Sequence, residues 1–125
     1  MTQEEKDLLV KDLCPRLPYG VVCQVDDGAA GLNDGKLVEI DISKELVRFD
    51  ADYYWDAYID DIKPYLFPMS NMTEEQFKEY WELEHSGDME HLSIPALDWL
   101  NKNHFDYRGL IPMGLAIDAS RLNIY

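Results

Sequence analysis

Acidic and aromatic side chains alternate between residues 50 and 61, and these residue types could bind either a metal ion or a protein. The carboxylates are Asp50, Asp52, Asp56, Asp60 and Asp61, and the aromatic residues among them are Tyr53, Tyr54, Trp55 and Tyr58. Oxygen-rich loops bind calcium, and Asp50-x-Asp52 resembles the opening of an EF-hand loop. Such a loop needs glycine at its sixth position, where this chain has Trp55. Two interpretations therefore stay open: a solvated acidic loop whose aromatic residues pack inward, and a recognition surface for a basic partner.

A second set of carboxylates is predicted on a helix that begins near Thr73. Thr73 and Gln76 have capping-box spacing, and Gly87 is expected to end the helix. Glu75, Glu79 and Glu82 recur on one side of it, whereas Phe77, Tyr80, Trp81 and Glu84 fall on another. The candidate binding surface combines both sets: Asp52, Asp56, Asp60, Asp61, Glu75, Glu79 and Glu82, with Tyr54 and Trp55 as aromatic anchors.

The net charge indicates what kind of partner such a surface would meet. The chain has 125 residues, with 25 acids, 11 bases and a formal charge of −14. Residues 51–92 carry 11 of the acids with only Lys63 and Lys78, whereas residues 93–125 are neutral. This charge argues against direct binding to nucleic-acid phosphates or to an anionic membrane. We expect a protein partner with a basic surface, bound by a non-enzymatic nucleic-acid mimic or inhibitor.

Small-ligand binding and catalysis are the alternatives. A protein that sequesters a signalling nucleotide would need one of its four arginines in a concave site; these are Arg16, Arg48, Arg108 and Arg121. A metal or thiol enzyme would use Cys14, Cys23, His85 or His91, but these residues lack the spacing of known metal sites. No nucleophile or phosphate-binding motif occurs in the chain. We therefore predict no enzymatic activity, no metal and no cofactor.

The terminal segments of the chain and its two cysteines indicate the cellular compartment in which we expect the protein. Residues 1–7 are acidic where a signal peptide would be basic, and no apolar stretch follows them. Residues 109–117 are too short to span a membrane, and Pro112 and Gly114 interrupt them. Cys14 and Cys23 are predicted to be buried thiols in a reducing environment. The expected location is the cytoplasm.

The helices and strands that position these residues are predicted from the sequence to form one α+β domain over residues 1–125. The Thr2–Glu5 capping box opens a helix over about residues 3–14, within an N-terminal part of residues 1–18. Five short strands, linked by hairpin-length turns and one polar loop over residues 26–35, predict a small antiparallel SH3-like barrel or curled sheet at about residues 19–67. The core part therefore spans residues 19–69, and residues 70–125 form a helical C-terminal part.

The C-terminal part is expected to close the fold. Ser93 or Ile94 begins a third helix, which Asn103 and His104 end, and residues 106–111 add a further helical turn. Asp106 and Arg108 are candidates for an ion pair. His104 is interpreted as a structural hydrogen-bonding residue rather than a base. The segment over residues 101–111 is interpreted as a structural closure in preference to a ligand pocket.

Three stretches of sequence carry a resemblance to a known family. They are Leu13-Cys14-Pro15-Arg16-Leu17-Pro18-Tyr19-Gly20-Val21, Ile62-Lys63-Pro64-Tyr65-Leu66-Phe67-Pro68-Met69-Ser70, and residues 99–111 with 114–118. The chain resembles small uncharacterised proteins encoded by gut Bacteroidales genomes and by their phages or mobile elements. The resemblance implies a cytoplasmic accessory protein and assigns no catalytic residue. Residues 26–61 and 77–96 lie outside it, so the role of their acids is inferred from charge alone.

Overall fold

A computed structural model describes residues 1–50, 55–84 and 93–125 of the chain. The three helices are α1 (Gln3–Leu13), α2 (Glu74–Glu84) and α3 (Ile94–Lys102). The strands are β1 (Val22–Asp26), β2 (Leu32–Asp41), β3 (Leu46–Asp50), β4 (Trp55–Tyr58), β5 (Ile62–Pro68), β6 (Phe105–Asp106) and β7 (Ile117–Asp118). Short 3-10 turns occur at Cys14–Tyr19, Gly28–Ala30, Ile59–Asp61 and Met69–Asn71. The predicted α+β class and the N-terminal helix are confirmed.

The strands form one mixed sheet in the order β4-β3-β2-β1-β5-β6, with β7 also paired to β5. All pairs from β4 to β5 are antiparallel, and β6 and β7 run parallel to β5. The path is open, because β4 and β6 lie at its two ends, so the strands described do not close into the predicted barrel. The strand β6 was not predicted, since two residues are too few to show a period.

The polar loop predicted over residues 26–35 is shorter than expected. β2 begins at Leu32, which pairs with Asp26, and the ladder continues to Lys36 opposite Val22. Pairing with β1 therefore extends a strand through Asn33 and Gly35, residues typical of turns. A bulge follows between Leu37 and Glu39.

The main core lies between α1, the sheet and the C-terminal turns. Its members are fully or almost fully buried: Leu9, Leu13, Val21, Cys23, Val25, Leu37, Val47, Phe49, Ile59, Ile62, Leu66, Leu110, Leu115 and Ala116. α3 contributes Ala96 and Leu100, and Trp99 stacks on Phe105 with ring centres 5.6 Å apart. The neutral C-terminal third thus packs against the sheet, in agreement with its predicted role in closing the fold.

Side-chain caps begin all three helices. Thr2 and Glu5 form a reciprocal capping box at α1, as Thr73 and Gln76 do at α2. The Ser93 hydroxyl accepts a bond from the Ala96 amide and donates one to the carbonyl of Leu83 at 2.7 Å, which ties α3 to the end of α2. These caps were predicted from local spacing, whereas the helix end predicted at Gly87 lies outside the described residues.

The predicted helical turn at residues 106–111 is wrong, because residues 107–111 form non-helical turns. Asp106 belongs to β6, and its carboxylate accepts bonds from the amides of Leu110 and Ile111 at 2.8 and 2.9 Å. The predicted Asp106–Arg108 ion pair is also wrong, because Arg108 pairs with Asp12 at 3.4 Å. Each carboxylate oxygen of Asp106 thus accepts one backbone amide, and Arg108 reaches α1 instead. Among the helices described, none combines the length and apolar character that crossing a bilayer requires.

Candidate functional site

Asp56 lies on β4, at the end of the sheet, where an arginine already neutralises it. The Arg48 guanidinium on β3 donates to Asp56 at 2.9 Å and to Glu39 on β2 at 3.1 Å. Arg48 therefore bridges carboxylates from the two strands that flank its own. The antiparallel register explains this, because it places Arg48 opposite both residues. Asp56 is exposed, but part of its charge is compensated within the sheet.

Asp60 and Asp61 lie in the turn after β4, and their surroundings differ. Asp60 is 3.2 Å from the Lys6 ammonium on α1 and 4.0 Å from the N-terminal amine. Lys6 also contacts Glu45 at 3.2 Å, and its hydrogen bonds to Asp60 and Glu45 raise the pKa of its ammonium group. Asp61 is exposed, and no ion pair with another described residue reaches it. Of the three described carboxylates near β4, only Asp61 thus keeps an uncompensated charge.

Glu75, Glu79 and Glu82 form one exposed flank of α2, which we call the α2 acidic flank. Within the described parts of the chain, none of the three has an ion-pair partner. Tyr80 and Leu83 are partly covered and face α3, where Tyr80 contacts Trp99 with ring centres 6.0 Å apart. α2 thus carries three exposed carboxylates without an ion pair to another described residue, and Lys78 is the one basic residue of the helix.

The aromatic side of α2 is less buried than its spacing predicts. Phe77 is 57% exposed and Trp81 is 50% exposed, because α2 contacts α3 through the face that carries Tyr80 and Leu83. The helix thus presents aromatic surface on one flank and carboxylates on the other.

The predicted binding residues fall into two groups in the structure. The turn that carries Asp60 packs on α1, whereas α2 packs on α3, which in turn contacts β6 and the Cys14–Tyr19 turn. β4 and β6 are the opposite ends of the strand order. Asp52 and Tyr54 lie outside the described residues, and Trp55 begins β4.

The arginines are mostly occupied by carboxylates of the chain itself. Arg16 is completely buried and binds Asp12, which is also completely buried, with Nε 3.0 Å from Oδ2. Arg108 contacts the other oxygen of Asp12, and both guanidinium groups lie over the Tyr107 ring at 5.0 and 5.4 Å. Burial raises the pKa of Asp12, and the two arginines counteract that shift. This network is structural. The i,i+4 spacing of Asp12 and Arg16 is a local signal for their ion pair, but no local pattern connects them to Tyr107 and Arg108.

The pocket beside Arg48 does not suit a phosphate. It has a volume of about 110 Å³ and is lined by Glu39, Asp41 and Asp56 as well as Arg48 and Lys44. Three carboxylates around two cations would repel an anion. The arginine-lined site that a nucleotide-binding protein would need is therefore not found at Arg48.

A second concave site surrounds His104 and Tyr125, which the sequence patterns did not connect. Their rings stack with centres 3.7 Å apart and an interplanar angle of 10°. Tyr125 donates to the carbonyl of Tyr65 at 2.8 Å and accepts from the amide of Val22 at 3.0 Å. His104 is 8% exposed, and its buried Nδ1 has no hydrogen-bond partner. The prediction of a hydrogen-bonding histidine is therefore wrong for this nitrogen. Burial, with the Arg16 charge as a second cause, lowers the pKa of His104 from 6.5 to about 4.

The two cysteines differ in accessibility, and both are free thiols. Cys23 is completely buried in the core, and this burial raises the pKa of its thiol. Cys14 is partly exposed beside α1, so the prediction of two buried thiols is correct only for Cys23. The structure, as far as it is described, contains no group of three His, Cys, Asp or Glu side chains arranged to hold a metal ion.

No family model, curated protein or solved structure matches the chain. The resemblance to small Bacteroidales and phage proteins therefore stays a prediction.

Proposed function

We propose that the protein is a non-enzymatic interaction protein that binds a basic protein surface through the α2 acidic flank. The observation that carries this proposal is the exposure of Glu75, Glu79 and Glu82 on one side of one helix, with no ion pair to another described residue. A cation-rich surface would supply the missing partners. Asp61 adds a further uncompensated charge elsewhere on the molecule.

The α2 acidic flank is favoured over the carboxylates near β4 because the latter are already paired. A partner that bound Asp56 or Asp60 would have to compete with Arg48 or Lys6. Exposed ion pairs contribute little to stability, so this competition is modest. It nevertheless reduces the net negative charge near β4, whereas the three carboxylates of the α2 acidic flank have no ion pair with another described residue.

The spacing on α2 is compatible with a nucleic-acid mimic of low charge density. A rise of about 1.5 Å per residue places Glu75 and Glu79 about 6 Å apart along the axis, and Glu79 and Glu82 about 4.5 Å apart. Duplex DNA carries one charge per about 3.4 Å of axis in each strand. α2 therefore presents a sparser row than a nucleic-acid strand, and we propose that it blocks a host nucleic-acid-binding protein by occupying its basic surface. Free thiols at Cys14 and Cys23 support a reducing, cytoplasmic setting for this role.

The test compares charge-neutralised variants of the purified protein as bait. Glu75→Gln, Glu79→Gln and Glu82→Gln together remove three charges from the flank. Glu4→Gln, Asp27→Asn and Asp98→Asn remove three exposed charges from other parts of the chain and serve as the matched control. Baits are incubated with lysate of the source cells at low and high salt, and retained proteins are identified by mass spectrometry.

The proposal expects a basic nucleic-acid-binding protein to be retained by the wild type and the control, and to be lost from the α2 variant and at high salt. The captured protein is then purified, and its displacement from its own nucleic acid by this protein is measured. Retention of the same protein by the α2 variant at wild-type level would contradict the proposal, and so would retention independent of salt.

A further inference from the structure

A groove of about 340 Å³ lies at the end of β5, between the first turn of α2, the end of α3 and Tyr125. This volume falls in the range of small-molecule sites. The α2 acidic flank does not contribute to its lining. Its polar lining residues are Asn71, Gln76, Lys102, Asn103 and His104. Lys102 is the only one of these with a full charge, because the lowered pKa of His104 keeps that ring neutral.

The aromatic wall of the groove is held rigidly. Tyr125 is 43% exposed, although both hydrogen bonds of its hydroxyl are satisfied inside the protein. His104 covers one face of the ring, and Phe67 lies against it with ring centres 5.9 Å apart. An aromatic residue that is fixed in place and lines the groove offers a stacking surface at little cost in entropy.

His104 occupies a position that a simple helix end would give to glycine or asparagine. It follows the last residues of α3 with a φ of 62°, the left-handed conformation typical of a helix C-terminus. A side chain in this conformation is strained relative to glycine. The ring also buries Nδ1 without a partner. Two unfavourable features at one groove residue indicate a functional constraint on the groove.

The polar groups of the groove have unused hydrogen-bonding capacity. The Gln76 carbonyl accepts from the Thr73 amide, which leaves its NH₂ group available. The Asn103 NH₂ group donates to the carbonyl of Trp99, which leaves its side-chain oxygen available. Lys102 is exposed and has no ion pair with any described residue. The groove thus offers one cation, a mixture of neutral donors and acceptors, and a flat ring.

We propose that this groove binds a small planar aromatic compound that carries one anionic group, with its ring on Tyr125 and its anion at Lys102. Two kinds of molecule share this chemistry: a nucleoside monophosphate and an aromatic carboxylate. The neutral amides match the ring substituents of either kind. A ligand with two or more separate anionic groups fits less well, because Lys102 is the only cationic side chain among the described residues that line the groove.

The proposal is tested with four probes: adenosine 5′-monophosphate, adenosine, indole-3-acetate and inorganic phosphate. Each is titrated into the ¹⁵N-labelled full chain, and amide shifts of residues 71, 76 and 102–105 are followed. Saturable shifts with the nucleotide, the indole acid or both are expected, and their relative affinity identifies the ligand source. Adenosine should bind at least five-fold more weakly than its monophosphate, and phosphate alone should not saturate in the same range.

Two variants separate binding in the groove from general charge effects. Gln76→Glu adds a carboxylate to the groove and keeps the capping box, because glutamate serves that position equally well. Lys102→Gln removes the cation. Each should weaken the anionic probes at least five-fold. Lys102→Gln should leave adenosine nearly unchanged, whereas Lys63→Gln, an exposed lysine on β5, should change nothing. The proposal is overturned if neither aromatic anion gives saturable shifts, if adenosine binds as tightly as its monophosphate, or if Lys63→Gln weakens binding as much as Lys102→Gln.

Discussion

Asp12 and Arg16 form an ion pair in which neither side chain reaches solvent, with Arg16 Nε 3.0 Å from Asp12 Oδ2. Arg16 also donates to the carbonyl of Phe105 at 2.7 Å, which joins the end of α1 to β6. Its Nη1 is buried without an acceptor. The stability of the protein should therefore depend strongly on whether each charge keeps its partner.

Removing Asp12 should destabilise the fold more than removing Arg16. Asp12→Ala leaves the buried guanidinium with only a carbonyl partner, and we expect a loss of about 3–5 kcal/mol in the free energy of unfolding. Arg16→Met leaves Asp12 in contact with Arg108, so its loss should be smaller. Urea denaturation measures both. The double variant Asp12→Leu/Arg16→Met should be more stable than Asp12→Ala. If each single variant lowered the free energy of unfolding by less than about 1 kcal/mol, the pair would contribute little to stability.

Stability should fall with acidification between pH 6.5 and pH 4 because of His104. Burial and the Arg16 charge lower the pKa of the folded-state imidazole to about 4, whereas its ordinary value is 6.5. In this interval the unfolded chain binds the proton and the folded chain does not, so lowering the pH favours unfolding. We expect this residue to account for a loss on the order of 2 kcal/mol.

The measurement is the free energy of unfolding of the wild type and of His104→Asn at several pH values. Asparagine tolerates the left-handed backbone and does not titrate in this range. The wild type should lose more stability than the variant between pH 6.5 and 4. Parallel curves would show that His104 titrates normally in the folded protein.

The hydroxyl of Tyr125 should contribute measurably to stability. Tyr125→Phe removes bonds to the carbonyl of Tyr65 and to the amide of Val22, and leaves both backbone groups without this partner. We expect a loss of about 1–3 kcal/mol in chemical denaturation. Tyr58→Phe is the control, since Tyr58 is 60% exposed. Equal effects of the two substitutions would mean that the Tyr125 bonds are replaced by water at no cost.

The two thiols should react at very different rates. Iodoacetamide added to the folded protein should label Cys14, which is partly exposed, and leave Cys23 unmodified. Cys23 is completely buried, and its raised pKa further suppresses the reactive thiolate. Mass spectrometry of the digested protein should show one label per native chain and two after unfolding in urea. Rapid labelling of Cys23 under native conditions would contradict its place in the core.

The sequence allowed prediction of those elements whose signals are local. Capping pairs at Thr2 and Thr73 lie three residues from their partners, so the starts of α1 and α2 were predicted correctly. The antiparallel strands β1 and β3 were predicted from their apolar residues. The start of β2 was not, because Asn33 and Gly35 suggest a turn and only pairing with β1 holds them in a strand.

Contacts between distant residues could not be predicted in the same way. Asp12 has the pattern of an exposed helix residue, and its burial depends on Arg108, which follows 96 positions later. The His104–Tyr125 stack likewise joins two residues with no motif between them. Those acidic candidates that the structure describes lie on the surface, as expected. The ion pairs of Asp56 with Arg48 and of Asp60 with Lys6 were not predicted, because they arise from sheet register and helix packing.

The uncompensated charge of α2, rather than the total charge, should determine partner binding. The most direct measurement is the dissociation constant of the captured basic partner, taken at several salt concentrations for single neutralised variants. Glu79→Gln should raise the dissociation constant several-fold and reduce its salt dependence. Asp56→Asn, whose charge Arg48 already compensates, should change the dissociation constant less than two-fold. Equal effects of the two substitutions would contradict the account, because they would show that only the total charge matters.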